Sequence, residues 1–352
     1  MKSGIITTYK KPGFIEENVK KLIDMGFEVI VAADEPSKDV IEIIEKYGLK
    51  ATISEKRRGK WRALNDAVKL AAGDYILFID SDTKILELGL EKLAEFDAVE
   101  IRKEVNSSSL IEELANIDYF NMFLTAKLAS KLNSCLSLNG AALGIRKQVL
   151  LELGGFRKYI NEDTDLGVRL GLNGYKVGVF GRAVTKAPSS LKDWFYQRER
   201  WSLGGAEIFA ENFKDILRKP RLWTPYLLLF YPAIIGIALG LALPNSLVLK
   251  ILYFILPFVF FLPSKLVSLI LLTIFELHTL KNLFVIAISF SIWALVILSL
   301  SKKTNYRIEI KLLPIYYFFY SPLWTMLCVV SLAKVMVYRL LGKELKVRRW
   351  AV

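Results

Sequence analysis

From Trp223 onward the sequence is dominated by apolar stretches too long and too unbroken for the core of a water-soluble domain. This asymmetry restricts the chain to two unlike parts. A helix needs about 20 mostly apolar residues to cross a bilayer, where every backbone polar group must be satisfied internally. Trp223 to Leu243, Leu247 to Phe275, Leu283 to Leu300 and Leu312 to Lys334 therefore predict a transmembrane region, 221–334, of about four spans. The second stretch carries Pro257, Pro263 and Lys265 and reads either as one kinked helix or as two shorter ones. Lys214, Arg218, Lys219 and Arg221 precede the first span and keep its start in the cytoplasm. The tail, 335–352, has Arg339, Lys343, Lys346, Arg348 and Arg349 against Glu344, which places it on the same side and calls for an even number of spans. The basic loop Lys302 to Lys311 then lies outside; set at the cytoplasmic interface instead, it changes the count.

The first part, 1–190, has a different grammar. Gly4 to Thr8, Glu28 to Ala33, Ala51 to Ser54 and Tyr75 to Ile79 are short apolar runs bounded by turn residues, and helical periodicity fills Phe14 to Met25 and Lys38 to Tyr47. Strands alternating with helices imply an α/β fold with a parallel sheet and right-handed crossovers. Asp97 to Ile101 and Leu143 to Arg146 are further strands, and Ser109 to Leu132 is a long helix. Neither a Gly-x-Gly-x-x-Gly fingerprint nor a P-loop is present, so a nucleotide must be held by other means.

In open α/β sheets ligands bind beyond the carboxyl ends of the strands. The run Tyr75 to Ile79 ends in Asp80-Ser81-Asp82, two carboxylates that either repel each other or share a cation. Mg²⁺ and Mn²⁺ take oxygen ligands, often one or two carboxylates plus substrate phosphates, so this strand end points to metal–diphosphate binding, although a solvated turn has the same spacing. Thr8 and Tyr9 end strand one and Asp34 ends strand two, where they can flank and hydrogen-bond a base or ribose. Lys60 and Arg62 lie near a helix start, the pole that attracts anions.

Composition removes several alternatives. The single histidine, His278, lies in the apolar half, which argues against histidine catalysis. Cys135 and Cys328 are far apart, with no zinc spacing and no expected disulfide. A net charge of +13 suits anionic lipid headgroups and a sugar nucleotide, and no nucleic-acid partner is expected. Met1 to Tyr9 enters a strand without an apolar leader, so the first domain is expected to stay in the cytoplasm.

Thr8-Tyr9, the Asp34 strand end, Gly59-Lys60 with Ala63-Leu64-Asn65, and Asp80-Ser81-Asp82 stand in an order that resembles the inverting family 2 glycosyltransferases and their GT-A fold. Asn161-Glu162-Asp163-Thr164-Asp165-Leu166 looks like that family's Glu-Asp signature ahead of a helix. Gln197-Arg198-Glu199-Arg200-Trp201 looks like the Gln-x-x-Arg-Trp motif of its membrane-integrated branch, which includes cellulose, chitin and hyaluronan synthases. Ala33-Asp34 stands where the family usually has paired Asp, and strand one lacks the usual Pro before Thr-Tyr. The resemblance covers roughly 1 to 205 and implies a GT-A catalytic domain with a doubly wound mixed sheet, followed by an α-helical transmembrane domain.

It also implies a division of labour. A divalent cation, Mn²⁺ or Mg²⁺, sits on Asp82 with help from Asp80. Arg200 and Lys60 add positive charge at the diphosphate. Asp163 is the candidate general base, with Glu162 and Asp165 as weaker candidates and a helix cap as its structural alternative. Gln197 and Trp201 face donor or acceptor. Asp193 to Phe213, within an interfacial segment 191–220, is expected to be a helix on the bilayer, broken near Gly204-Gly205. The expected reaction moves a sugar from a nucleoside-diphosphate sugar to a lipid or lipid-linked glycan, in an integral protein of the cell membrane. Four spans are few for a polymer pore, which leaves a processive, secreting synthase as the alternative. A nucleotide-sensing receptor or transporter is the competing class; intramembrane charge is its usual mark, and Lys265 is the one good instance.

Overall fold

The computed structural model describes residues 1–89, 92, 95–228, 231–242 and 277–342. The chain divides into two compact units, one of Met1–Pro225 with Phe318–Val352 and the other of Tyr226–Tyr317.

The first unit is built on an eight-stranded sheet in the order β3-β2-β1-β4-β7-β6-β8-β5. Its strands are β1 (Lys2–Tyr9), β2 (Glu28–Asp34), β3 (Lys50–Ser54), β4 (Tyr75–Asp80), β5 (Thr83–Glu87), β6 (Ala98–Val105), β7 (Ala142–Arg146) and β8 (Val177–Thr185). The helices α1 (Ile15–Asp24), α2 (Lys38–Lys46) and α3 (Lys60–Leu70) join the first four strands, which are mutually parallel. β7 then runs antiparallel to both β4 and β6, and β5 antiparallel to β8. The parallel layout expected from strand–helix alternation thus holds for the first half of the sheet, and the whole is the mixed sheet the resemblance implies.

Alternation along each strand builds the two faces. Ile5, Ile30, Ile76 and Phe78 pack with Ala63, Leu64 and Val68 of α3. Ile6, Val29, Val31, Leu77 and Ile79 form the opposite layer with Ile15 and Val19 of α1 and Val40 of α2. Strands covered on both sides must be apolar almost throughout, which explains the continuous run Tyr75 to Ile79. β5 and β8 carry weaker signals: Thr83–Glu87 holds three polar residues of five, and Val177–Thr185 is interrupted by glycine.

α4 (Leu110–Lys131) starts with a full capping box between Ser109 and Glu112. α5 (Lys147–Glu152) and α6 (Glu162–Asn173) follow, then α7 (Leu191–Leu217), capped by Ser190. α7 runs unbroken through Gly204 and Gly205, correcting the expected break. A Cβ at Gly204 would lie 2.7 Å from the side chain of Asn161, so this glycine permits a close helix approach rather than a bend. The first unit also holds α11 (Ser321–Leu340), which packs along α7, with Ser202 and Ser331 sharing a buried 2.7 Å hydrogen bond.

α8 (Pro220–Leu227) lies mostly in the first unit and ends in the second, which also contains α9 (Tyr231–Ala242) and α10 (Leu277–Lys303), with α9 packed on α10. Among the described residues two helices are long and apolar enough to cross a membrane, Lys281–Lys303 and Ile310–Leu340. They coincide with the third and fourth expected spans. The first, Trp223 to Leu243, falls on α8 and α9, neither of which is long enough alone. The second, Leu247 to Phe275, and the basic residues 343–352 lie outside the described residues.

Candidate active site

The parallel register aligns the carboxyl ends of three strands. Thr7 pairs with Asp80, and Tyr9 with Asp34, so the candidate residues of β1, β2 and β4 emerge at one end of the sheet. Strand order reverses beside β1 and β4, the place where such sheets bind ligands.

The Asp80–Asp82 turn is held from two sides. Ser81 N donates to Thr7 O (2.9 Å) and Asp80 N to Ala141 O (2.9 Å). Gly13, at φ +52°, lets the loop after β1 close on this turn; a Cβ there would come within 2.1 Å of Ser81 O. Thr7 Oγ1 donates to Asp80 Oδ1 at 2.7 Å. Lys60 Nζ, from the first turn of α3, lies 2.7 Å from the Asp80 carboxylate and 3.4 Å from that of Glu162. Burial opposes the Lys60 charge, but Asp80, Glu162 and Asp163 outweigh it and raise its pKa. Asp82 reaches the surface and, among the described residues, accepts only from Thr83 Oγ1 at 3.2 Å. The closely packed surroundings and the neighbouring Asp80 charge push its pKa up, so its carboxylate stands to gain from a cation. Two carboxylates two residues apart, that of Asp82 exposed, are oxygen donors that suit a divalent ion whose remaining positions phosphate oxygens and water would fill.

α6 brings the second acidic pair. Asp163 is not the N-cap residue, which is Asn161, but its Oδ1 accepts from Thr164 N in the first turn of α6 at 2.7 Å while Oδ2 accepts from Gly140 N at 2.6 Å, leaving lone pairs on both oxygens. Glu162 is buried, and burial, reinforced by the Asp163 charge and countered by Lys60, pushes it up to about 7. Asp165 is also buried, but it belongs to the scaffold, since it grips Arg169 at 2.6 and 2.8 Å.

At the β1–β2 end, Asp34 is occupied by the loop before α3. It accepts from Arg58 N (2.9 Å), Gly59 N (3.2 Å) and Arg58 Nε (3.1 Å). Tyr9 stacks under the Arg57 guanidinium, 4.4 Å from the ring centre. Thr8 Oγ1 turns back to Lys11 O at 2.6 Å. Thr8, Tyr9 and Asp34 thus stand together at one strand end, as expected, with Asp34 reaching the loop rather than open space.

The Gln-x-x-Arg-Trp segment lies in α7. Asn161 Nδ2 donates to Trp201 O at 2.8 Å, which ties this helix to the start of α6. Trp201 meets Tyr119 edge-on at 6.5 Å and the Arg198 guanidinium at 4.4 Å. Gln197 Oε1 is buried without a hydrogen-bond partner among the described residues. Arg200 is half-buried and makes no hydrogen bond or ion pair among the described residues.

Sequence reasoning missed Thr7, Arg58, Asp118, Tyr119 and Arg198. Arg198 is fully buried, 2.8 Å from Asp118 of α4, and donates to Tyr320 at 3.1 Å. Its signal was present in the motif itself, where Arg198 stands between Gln197 and Arg200. Asp118 and Tyr119 sit in mid-helix among apolar residues, and a lone buried carboxylate there is the mark of a paired charge.

Comparison with known proteins agrees with this architecture. The model described as "Glycosyl transferase family group 2" matches residues 75–338, and "Glycosyl transferase family 2" matches residues 3–99. Poly-beta-1,6-N-acetyl-D-glucosamine synthase from Staphylococcus epidermidis is 24% identical over 247 residues, 65% of this chain and 60% of the relative. The enzyme of the same name from Staphylococcus aureus is 24% identical over 254 residues, 66% of this chain and 61% of the relative. The chain thus spans about 60% of the length of these curated relatives. Among solved structures, a mannosyltransferase from Pyrobaculum calidifontis in complex with GDP-Man and Mn²⁺ superposes with TM-score 0.52 at 16% identity, covering 97% of this chain and 88% of that one. This likeness is one of fold, the GT-A arrangement. A mixed sheet of this order, two acidic pairs at its ligand-binding end and a family match over most of the length lead to one assignment: the chain belongs to glycosyl transferase family group 2 and is a glycosyltransferase.

Proposed function

We propose that the chain transfers a sugar from a nucleoside-diphosphate sugar to a lipid or lipid-linked glycan, with inversion, using Asp163 as general base. The acceptor hydroxyl gives its proton to the Asp163 carboxylate while its oxygen bonds the anomeric carbon, and the bond from that carbon to the diphosphate breaks on the opposite face. Asp80 and Asp82 hold a divalent cation, Mn²⁺ or Mg²⁺. When bound, the ion neutralises the leaving diphosphate as a Lewis acid. Lys60 adds a fixed positive charge there, and Arg200 is free to do the same when substrate enters. Thr8, Tyr9 and the Asp34-anchored loop carry the nucleoside, and Glu162, Gln197 and Trp201 line the acceptor side.

The observation that carries this reading is Lys60 standing 2.7 Å from Asp80 and 3.4 Å from Glu162, because it joins the diphosphate end to the residue next to the candidate base. The two apolar helices support a membrane protein with residues 1–190 as a cytoplasmic catalytic domain, 191–220 as an interfacial segment, 221–334 as the membrane region and 335–352 as a cytoplasmic tail. The curated relatives, synthases of a β-1,6-linked N-acetylglucosamine polymer, favour a second reading in which repeated additions build a polysaccharide.

The test is nucleoside diphosphate release by the detergent-purified chain from a panel of UDP- and GDP-sugars, with membrane lipid extract as acceptor and with Mn²⁺, Mg²⁺ or EDTA. Release from one donor, abolished by EDTA, is expected. No release from any donor contradicts the proposal. Product length then separates single addition from polymerisation.

A further inference from the structure

β6 is a central strand with four charged residues, Glu100, Arg102, Lys103 and Glu104, yet three of them are under 8% exposed. Glu100 and Lys103 are three apart, a spacing that regular alternation sends to opposite faces of a sheet. Here the β6–β8 ladder shifts register between Ile101 and Lys103, opposite Gly181 at φ +76°, and both side chains reach one segment, the residues just before β7.

They grip it at both polar groups of one residue. Lys103 Nζ donates to Asn139 O at 2.7 Å, and Asn139 N donates to Glu100 Oε2 at 3.2 Å. The two charges are 3.8 Å apart. The next residue, Gly140, gives its N–H to Asp163 Oδ2 at 2.6 Å, and the one after, Ala141, accepts from Asp80 N at 2.9 Å. Asn139 Oδ1 accepts from Ala141 N at 3.2 Å and closes the segment on itself. Residues 139–141 are therefore a three-residue bar held at Asn139 by a buried ion pair, touching the candidate base at its middle residue and the candidate metal turn at its last. Burial weakens both charged forms, raising the Glu100 pKa and lowering that of Lys103, so two ionisable groups are kept here at a cost that apolar side chains of the same size would avoid.

We propose that Glu100 and Lys103 are positioning residues, which clamp Asn139 so that Gly140 holds Asp163 at a set distance from the Asp80–Asp82 turn. This inference rests on the reading of Asp163 as the base. Both side chains are buried against the backbone of 139–141, and their charges also act on Asp163 and, from Lys103, on Asp80.

Removing one charge alone strands the other, so the informative variant is the double, Glu100→Gln with Lys103→Met, which keeps size and leaves no unpaired ion. It is compared in the full chain with wild type and with Lys103→Arg. Amide hydrogen exchange of peptides covering 138–142 is expected to rise about tenfold in the double variant, while peptides from the rest of β6 and β7 stay protected. Turnover is expected to fall roughly 10- to 100-fold with donor KM held within about twofold, and Lys103→Arg to recover part of it. Unchanged exchange at 138–142, or full turnover in the folded double variant, overturns the clamp. If wild type itself turns over no donor, the functional proposal falls by that result, and the exchange arm alone decides whether the ion pair fixes the segment.

Discussion

The backbone N–H of Gly140 donates to Asp163 Oδ2 across 2.6 Å, and a Cβ at position 140 would lie 2.7 Å from that same oxygen. One contact thus both orients the carboxylate and excludes any side chain at 140. Gly140→Ala is expected to displace Asp163 and lower turnover by about 10- to 100-fold, since small misplacements of a reacting group cost that much. Donor KM, which Asp163 does not set in this reading, is expected to change less than turnover. Steady-state nucleoside diphosphate release separates the two parameters.

Arg198 and Asp118 join α7 to α4 with a fully buried charge pair. Removing one partner leaves an uncompensated ion, at ~3–5 kcal/mol. Arg198→Met is therefore expected to lower the melting temperature sharply, and Arg198→Met with Asp118→Leu to recover most of the loss. Thermal unfolding of the three proteins checks this.

Glu162 has a pKa raised by burial from 4.5 to about 7. The folded state binds a proton more tightly there than the unfolded chain does, so its contribution is full below pH 4.5 and is lost as pH rises through about 7. The loss is of order ~3 kcal/mol, at 1.36 kcal/mol per pKa unit. Glu162→Gln is expected to flatten this slope, making the variant the more stable protein at pH 8 but not at pH 4. Denaturant unfolding across pH, without substrate or metal, measures it.

Leu295 lies near the middle of α10, in the apolar stretch Lys281–Lys303, and is 64% exposed on the protein. If that surface meets lipid, Leu295→Arg costs ~2.5–3.5 kcal/mol of insertion free energy. Membrane integration of the helix in a glycosylation-mapping assay is expected to drop accordingly, whereas an aqueous location predicts no change.

How far residues revealed their roles depended on whether their physics was local. Tyr75 to Ile79 ending in Asp80 is a buried strand opening on the candidate site, and both halves of that reading are written in six consecutive residues. The amphipathic faces of α1 and α2 follow in the same way from the spacing of Ile15, Val19, Leu22, Val40 and Ile44. The buried charges were opaque because their partners are far along the chain. Glu100 and Lys103 look like the surface of an edge strand until Asn139 folds over them. Arg198 shows its role only with Asp118, 80 positions earlier in the chain, in place. Gly204 reads as a helix breaker because its meaning, contact with Asn161, is tertiary.

Asp163 is the residue on which the proposed chemistry depends, and sugar transfer by Asp163→Asn tests it most directly. Asn keeps the shape of the carboxylate and can still accept from Gly140 N, but it cannot take a proton. The variant is expected to bind the donor nucleotide with wild-type affinity in the presence of Mn²⁺, by calorimetry, and to transfer labelled sugar to acceptor at least ~10²-fold more slowly, the scale of general-base catalysis. Transfer at the wild-type rate by a variant that binds donor normally would contradict the assignment of Asp163 as the base.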